Sequence, residues 1–223
     1  MSALAAAALV AALTAAPASD CGVQDATLDW GFKESFRSYI SGSIANGEWT
    51  VADGASYETP SFGWSGAEGS YDGGEGEVAF TGSITFTGHG GILNTTVSDP
   101  RIEFDGDTAL LYLDVVGTTQ AGEEVASEDV PFATLDLADR VSSNGMVTVT
   151  APAVLTSDGA AAFGTYEAGE ELDPVSVSFT VPEECSAADS ASSWILPAAA
   201  ALLLGLVGAV LLVLRRRRQG AGA

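Results

Sequence analysis

Alternation of apolar with small or polar side chains governs most of this chain. It runs through Glu77-Val78-Ala79-Phe80-Thr81-Gly82-Ser83-Ile84-Thr85-Phe86, Leu110-Leu111-Tyr112-Leu113-Asp114-Val115 and Val175-Ser176-Val177-Ser178-Phe179-Thr180-Val181. A period of two belongs to half-buried strands, because successive side chains leave opposite faces and only one face joins the core. Asp105-Gly106-Asp107, Ser143-Asn144-Gly145 and Ser157-Asp158-Gly159 separate the runs with residues that suit tight turns. Together these features predict a mainly β domain, an antiparallel β-sandwich or open barrel, without internal repeats.

One segment departs from the pattern. Leu28, Phe32, Phe36 and Ile40 recur every four residues, with Asp29 placed to cap the start and Gly42 near the end, which predicts a short N-terminal amphipathic helix of about three turns. Ser35 and Tyr39 are four apart and share a face, as do Lys33 and Arg37. Downstream, the chain's one histidine, His89, sits in Thr85-Phe86-Thr87-Gly88-His89-Gly90-Gly91. With a single imidazole, any cofactor site must draw its remaining chemistry from other residue types, and the helix offers a tyrosine.

Both ends of the chain carry an address. Residues 1–18 are rich in Ala and Leu and end in Ala16-Pro17-Ala18, the small-x-small form of a signal-peptidase site. Cys21 follows Asp20, where lipid attachment needs a small residue, so lipidation is excluded. Residues 194–214 carry no charge and, at about 1.5 Å per helical residue, reach roughly the 30 Å of a bilayer's hydrocarbon core. Arg215, Arg216, Arg217 and Arg218 follow at once, and the positive-inside rule places them in the cytoplasm. The expected organisation is a signal peptide (1–18), an extracellular domain (19–185), a small polar stalk (186–193), one C-terminal transmembrane helix (194–214) and a cytoplasmic basic tail (215–223), in a single-pass protein of the cell membrane.

The formal net charge is −22, and all 30 acidic residues precede the apolar span, where only Lys33, Arg37, Arg101 and Arg140 oppose them. Such a surface excludes nucleic acid as a partner. Asp72-Gly73-Gly74-Glu75-Gly76-Glu77 reads as an acidic hairpin, since its spacing does not match a calcium-binding EF-hand loop. Cys21 and Cys185, the only two cysteines, bracket the exported domain, and an oxidising compartment allows them to pair. Closing so long a loop is worth roughly 5 kcal/mol in chain entropy. No Ser/His/Asp grouping, metal-binding cysteine spacing or phosphate loop points to an enzyme.

The concentration of a tyrosine, a serine and two cations on one helix meets the needs of an exported haem site: an apolar slot, a hard axial ligand for Fe(III) and donors for two propionates. At three blocks the sequence resembles the HtaA family of actinobacterial surface proteins that bind and pass on haem. These are Leu28-Asp29-Trp30-Gly31-Phe32-Lys33-Glu34-Ser35-Phe36-Arg37-Ser38-Tyr39-Ile40, then Phe86-Thr87-Gly88-His89-Gly90-Gly91, then Tyr166-Glu167-Ala168-Gly169-Glu170-Glu171-Leu172-Asp173-Pro174. The resemblance implies ferric haem b as the ligand, Tyr39 on the iron, His89 hydrogen-bonded to Tyr39, Ser35 on a propionate and Tyr166 at the rim. Arg37 is a further cofactor-binding candidate from its place on the helix, where it and Lys33 could equally serve only to solvate the surface. It also implies partners: other surface haem-binding proteins and the substrate-binding lipoprotein of a haem ABC importer. A structural or adhesive surface β-domain without a cofactor is the alternative that the residues leave open.

Overall fold

The structure is a computed structural model that describes residues 20–186. The expected signal peptide, the stalk beyond Ser186, the apolar span and the arginine tail lie outside the described residues. Among those that are described, no helix is long and apolar enough to cross a membrane.

The elements follow in the order β1 (Gln24–Trp30), α1 (Glu34–Ser41), β2 (Glu48–Ala52), β3 (Ser56–Glu58), β4 (Ser61–Ser65), β5 (Glu68–Asp72), β6 (Glu75–Ala79) and β7 (Ser83–Gly88). A single 3-10 turn (His89–Gly91) leads into β8 (Leu93–Asp105), β9 (Thr108–Thr118), β10 (Glu124–Asp136), β11 (Val141–Ser143), β12 (Met146–Leu155), α2 (Ser157–Phe163), β13 (Glu171–Thr180) and α3 (Glu183–Ser186). The strands form one antiparallel sheet in the order β2-β7-β8-β9-β10-β12-β13-β1-β4-β3, with β11 on β12 and the β5–β6 hairpin carried on β8. The terminal strands β2 and β3 are neighbours in sequence, and the rings of Trp49 and Tyr57 meet between them at 5.2 Å. The sheet is therefore a nearly closed barrel, and of the two architectures expected from the alternation the barrel is the one that forms.

Every second residue of β7 is buried, as are Leu93, Thr95, Val97, Ile102 and Phe104 of β8. The inward faces merge into one core, in which each large apolar side chain contributes about 1.5–3 kcal/mol. Asp99 and Pro100 bulge out of β8, letting it pair with β7 through Ser98 and with β6 from Arg101 onward.

Three local expectations are corrected. The helix starts at Glu34, not near Asp29: Ala26, Leu28 and Trp30 are buried on one face of β1, which lies between β13 and β4. The run Glu77–Phe86 is two strands, β6 and β7, lying end to end along β8: the ladder is interrupted opposite the Asp99-Pro100 bulge, where Gly82 has a φ of 141° and its N–H donates to Asp99 Oδ1 at 3.0 Å. Ser157-Asp158-Gly159 separates β12 from β13 as expected, but as the first turn of α2 and not as a tight turn, because Thr156 caps it by accepting the Gly159 N–H at 2.9 Å. The acidic hairpin forms as expected, with β5 and β6 joined at Gly73-Gly74.

Cys21 and Cys185 are bonded across 164 residues. Their carbonyls accept from Tyr71 at 3.0 Å and from Gly73 at 2.9 Å, so the disulfide pins both chain ends to the β5–β6 hairpin. Ser186, where the stalk was expected to begin, is buried at the end of α3.

Candidate functional site

Helix α1 carries the site, and its wheel explains why. Phe36 and Ile40 are buried, with Phe36 packed among Phe32, Phe86 and Phe163 at ring distances of 5.0–6.0 Å. At 3.6 residues per turn, Ser35 and Tyr39 fall on one flank of this buried stripe and Lys33 and Arg37 on the other. The chain enters the helix through Phe32, whose φ of 64° is rare for a bulky residue.

On the first flank the Tyr39 hydroxyl and His89 Nε2 share a short hydrogen bond. His89 reaches this place by a left-handed backbone (φ 50°), held by its N–H donating to the Ala45 carbonyl at 2.7 Å in the α1–β2 loop. Gly47 lets that loop lie against β7, since a Cβ there would run into the Thr87 carbonyl oxygen. Both partners of the pair are half-buried, and burial pushes the Tyr39 phenol above the ordinary tyrosine range.

One helical turn away, Ser35 Oγ lies 3.1 Å from the Tyr166 hydroxyl. The Tyr166 ring stacks on Phe163 and meets the edge of Phe36. Ile44 and Ile92, one on each of the loops that meet at His89, are 75% and 58% exposed, an unusual display of large apolar groups beside a polar pair.

Arg37 faces the other way, while the Lys33 ammonium reaches over the Tyr166 ring at 5.4 Å. Arg37 Nη1 donates to Asp173 Oδ2 at 2.6 Å and to the Gly31 carbonyl. Lys33 Nζ pairs with Glu170 at 2.8 Å and donates to the Glu171 carbonyl at 2.5 Å. Of the residues singled out from sequence, the structure thus brings Ser35, Tyr39, His89 and Tyr166 to one flank, while Arg37 is committed to Asp173. Ala45, Gly47 and Asp173 shape the site without any local sequence signal for that role, because each acts on a segment distant in the chain.

A cleft of about 500 Å³ between β10 and α2, lined by Glu124, Glu128, Asp129 and Asp158 among others, holds neither Tyr39 nor His89. Its four carboxylates disfavour an anionic ligand, whereas the tyrosine–histidine flank combines hydroxyls, an imidazole and aromatic walls. Barrel and flank define a β-domain that carries a tyrosine–histidine pair beside a single surface helix.

The sequence matches the model of the HtaA (Htaa) family over residues 25–178. The C-terminal domain of HtaA from Corynebacterium glutamicum is 37% identical, with 72% of this chain and 98% of that one covered and a TM-score of 0.68. The N-terminal domain of the same protein is 36% identical, with 71% and 98% covered and a TM-score of 0.63. The haem-binding protein HtaB from the same organism shares the fold, at 24% identity, 72% and 94% coverage and a TM-score of 0.59. A search of curated proteins returns no match. The chain belongs to the HtaA family.

Proposed function

We propose that this domain binds ferric haem b at the flank of α1, with Tyr39 as the iron ligand and His89 as its hydrogen-bonding support, and that it captures or relays haem at the cell surface. The hydrogen bond between the Tyr39 hydroxyl and His89 Nε2 carries the reading. The donor set fits the group: when bound, Fe(III) accepts a hard anionic oxygen, and phenolate is such a donor. Burial raises the pKa of Tyr39, so ligation would require its phenol to release its proton to solvent. His89 Nε2–H donating to the phenolate then steadies the charge. Ser35 and Tyr166 supply hydroxyls for a propionate, and Phe36, Phe163, Ile44 and Ile92 supply apolar surface for a flat ring. Arg37 contributes by holding the helix.

Binding, not turnover, is the role. Reduction lowers affinity, because Fe(II) is a poor match for an anionic oxygen. The chain is anchored by residues 194–214 with the domain outside and the arginine tail in the cytoplasm, and its partners are other surface haem-binding proteins and an importer's substrate-binding lipoprotein.

Hemin titration of the full-length protein in detergent tests this. Tyr39→Phe is expected to abolish the ferric tyrosinate absorption. His89→Ala is expected to leave a bound but altered species with roughly ten- to hundredfold lower affinity, the worth of a hydrogen bond to a charged group. The reverse ranking would make histidine the ligand, and unchanged spectra in both would reduce the binding to surface adhesion.

A further inference from the structure

Helix α1 is only eight residues long, and its N-cap, Lys33, makes no side-chain capping bond. Short helices depend on satisfied first-turn N–H groups. The missing cap comes from the other end of the chain. Asp173 of β13 accepts the Glu34 N–H on Oδ1 at 3.0 Å and the Arg37 guanidinium on Oδ2 at 2.6 Å. Its backbone is fixed as firmly as its carboxylate: its N–H donates to the Phe32 carbonyl at 3.0 Å, and its carbonyl accepts from Trp30 Nε1 at 2.9 Å. One residue thus holds the last residue of β1, the left-handed turn at Phe32, the first N–H of α1 and a side chain of its first turn.

Gly31 completes the clamp. A Cβ at that position would overlap Asp173 Oδ2 and lie 2.8 Å from Arg37 Nη1, so the pair is seated directly on the Gly31 backbone. Nothing in this clamp touches the flank that bears Tyr39, yet the clamp sets where the helix lies and how it is turned, and the phenol meets His89 only in one such placement.

We propose that Asp173 is a positioning residue for Tyr39, acting through the cap and ion pair on α1. The proposal rests on the reading of Tyr39 as iron ligand. Positioning within a fraction of an ångström decides how well a ligand set works, and a carboxylate cap in a partly buried ion pair is strong enough to impose it.

The test uses full-length protein in detergent with hemin as the probe. The readouts are the wavelength and width of the tyrosinate absorption, the rate of hemin loss to an acceptor in excess, and Tm. Asp173→Ala is expected to shift and broaden the band and to speed hemin loss roughly tenfold, the equivalent of one lost cap. Asp173→Asn, whose amide oxygen can still accept from Glu34, is expected to recover most of the wild-type band. Gly31→Ala, which displaces the pair without removing charge, is expected to reproduce the alanine variant's spectrum and keeps the question open to test should that variant fail to fold. Phe179→Leu, a core truncation near the disulfide, is the control: its Tm is expected to fall while band and loss rate stay as in wild type.

Wild-type band and loss rate in Asp173→Ala and Gly31→Ala would overturn the proposal, as would an equal change in Phe179→Leu. Tyr39→Phe run in parallel separates the two claims. If it leaves the band intact, the ligand assignment fails; if it removes the band while the Asp173 and Gly31 variants keep it, the assignment stands and the positioning role fails.

Discussion

Tyr39 and Tyr71 show how one side chain serves two ends of a barrel. Tyr39 keeps its hydroxyl at the surface, engaged with His89. Tyr71 is buried between Phe104 and Phe179, and its hydroxyl has no hydrogen-bond partner among the described residues. Burial raises its pKa, with Arg140 and Ser142 acting the other way. A group whose pKa rises on folding contributes stability that is whole below the unfolded value, about 10, and is lost as pH climbs through the folded value. Stability is therefore expected to fall above about pH 10, and Tyr71→Phe to soften that fall. Near neutrality the same variant removes an unpaired buried hydroxyl, which costs about 1–3 kcal/mol to bury, so its Tm is expected to equal or exceed wild type. Thermal melts of both proteins at the two pH values check this. His89 and Tyr39 were legible in sequence because a lone imidazole between glycines and a tyrosine four residues from a serine stand out. Asp173 was visible only as part of a motif, since its role exists only where β13 meets the helix.

At the scale of elements, the paired loops decide whether the site forms. The α1–β2 loop passes against β7 because Gly47 has no side chain, and the same loop supplies the Ala45 carbonyl that holds His89. Gly47→Ala is expected to push the loop off Thr87, release the His89 backbone and weaken hemin binding more than tenfold, with a smaller loss in Tm; titration and melting together check it. The strands from Leu110 and Val175 were legible because a barrel wall shows its alternation directly. The helix start was not. Leu28 and Phe32 are four apart, a spacing that fits a helical face and, as a multiple of two, a strand face as well; Trp30 between them belongs to the strand. The break after Ala79 was equally hidden, because the alternation continues through an interruption that only the β8 bulge and Gly82's backbone reveal.

For the whole molecule, the barrel has two unlike poles. Tyr39, His89 and Tyr166 gather where β1 ends and β13 begins, whereas Cys21, Cys185 and Tyr71 gather where β13 ends. Replacing both cysteines with serine is expected to cost about 2–5 kcal/mol, read as a fall in Tm, while the hemin spectrum stays unchanged. A protease added to intact cells is expected to remove the domain and spare the arginine tail; full-length protein recovered from the soluble fraction would contradict the proposed topology. The disulfide's position also bears on mechanics. A partner that grips the Tyr39 pole while the chain is held beyond Ser186 puts the domain under tension. The covalent path for that load runs from α1 back along β1 to Cys21 and crosses to Cys185, so β2 to β13 lie outside it. Apart from β1 the barrel wall is left out of that path, so repeated tugging at the site does not peel its other strands apart.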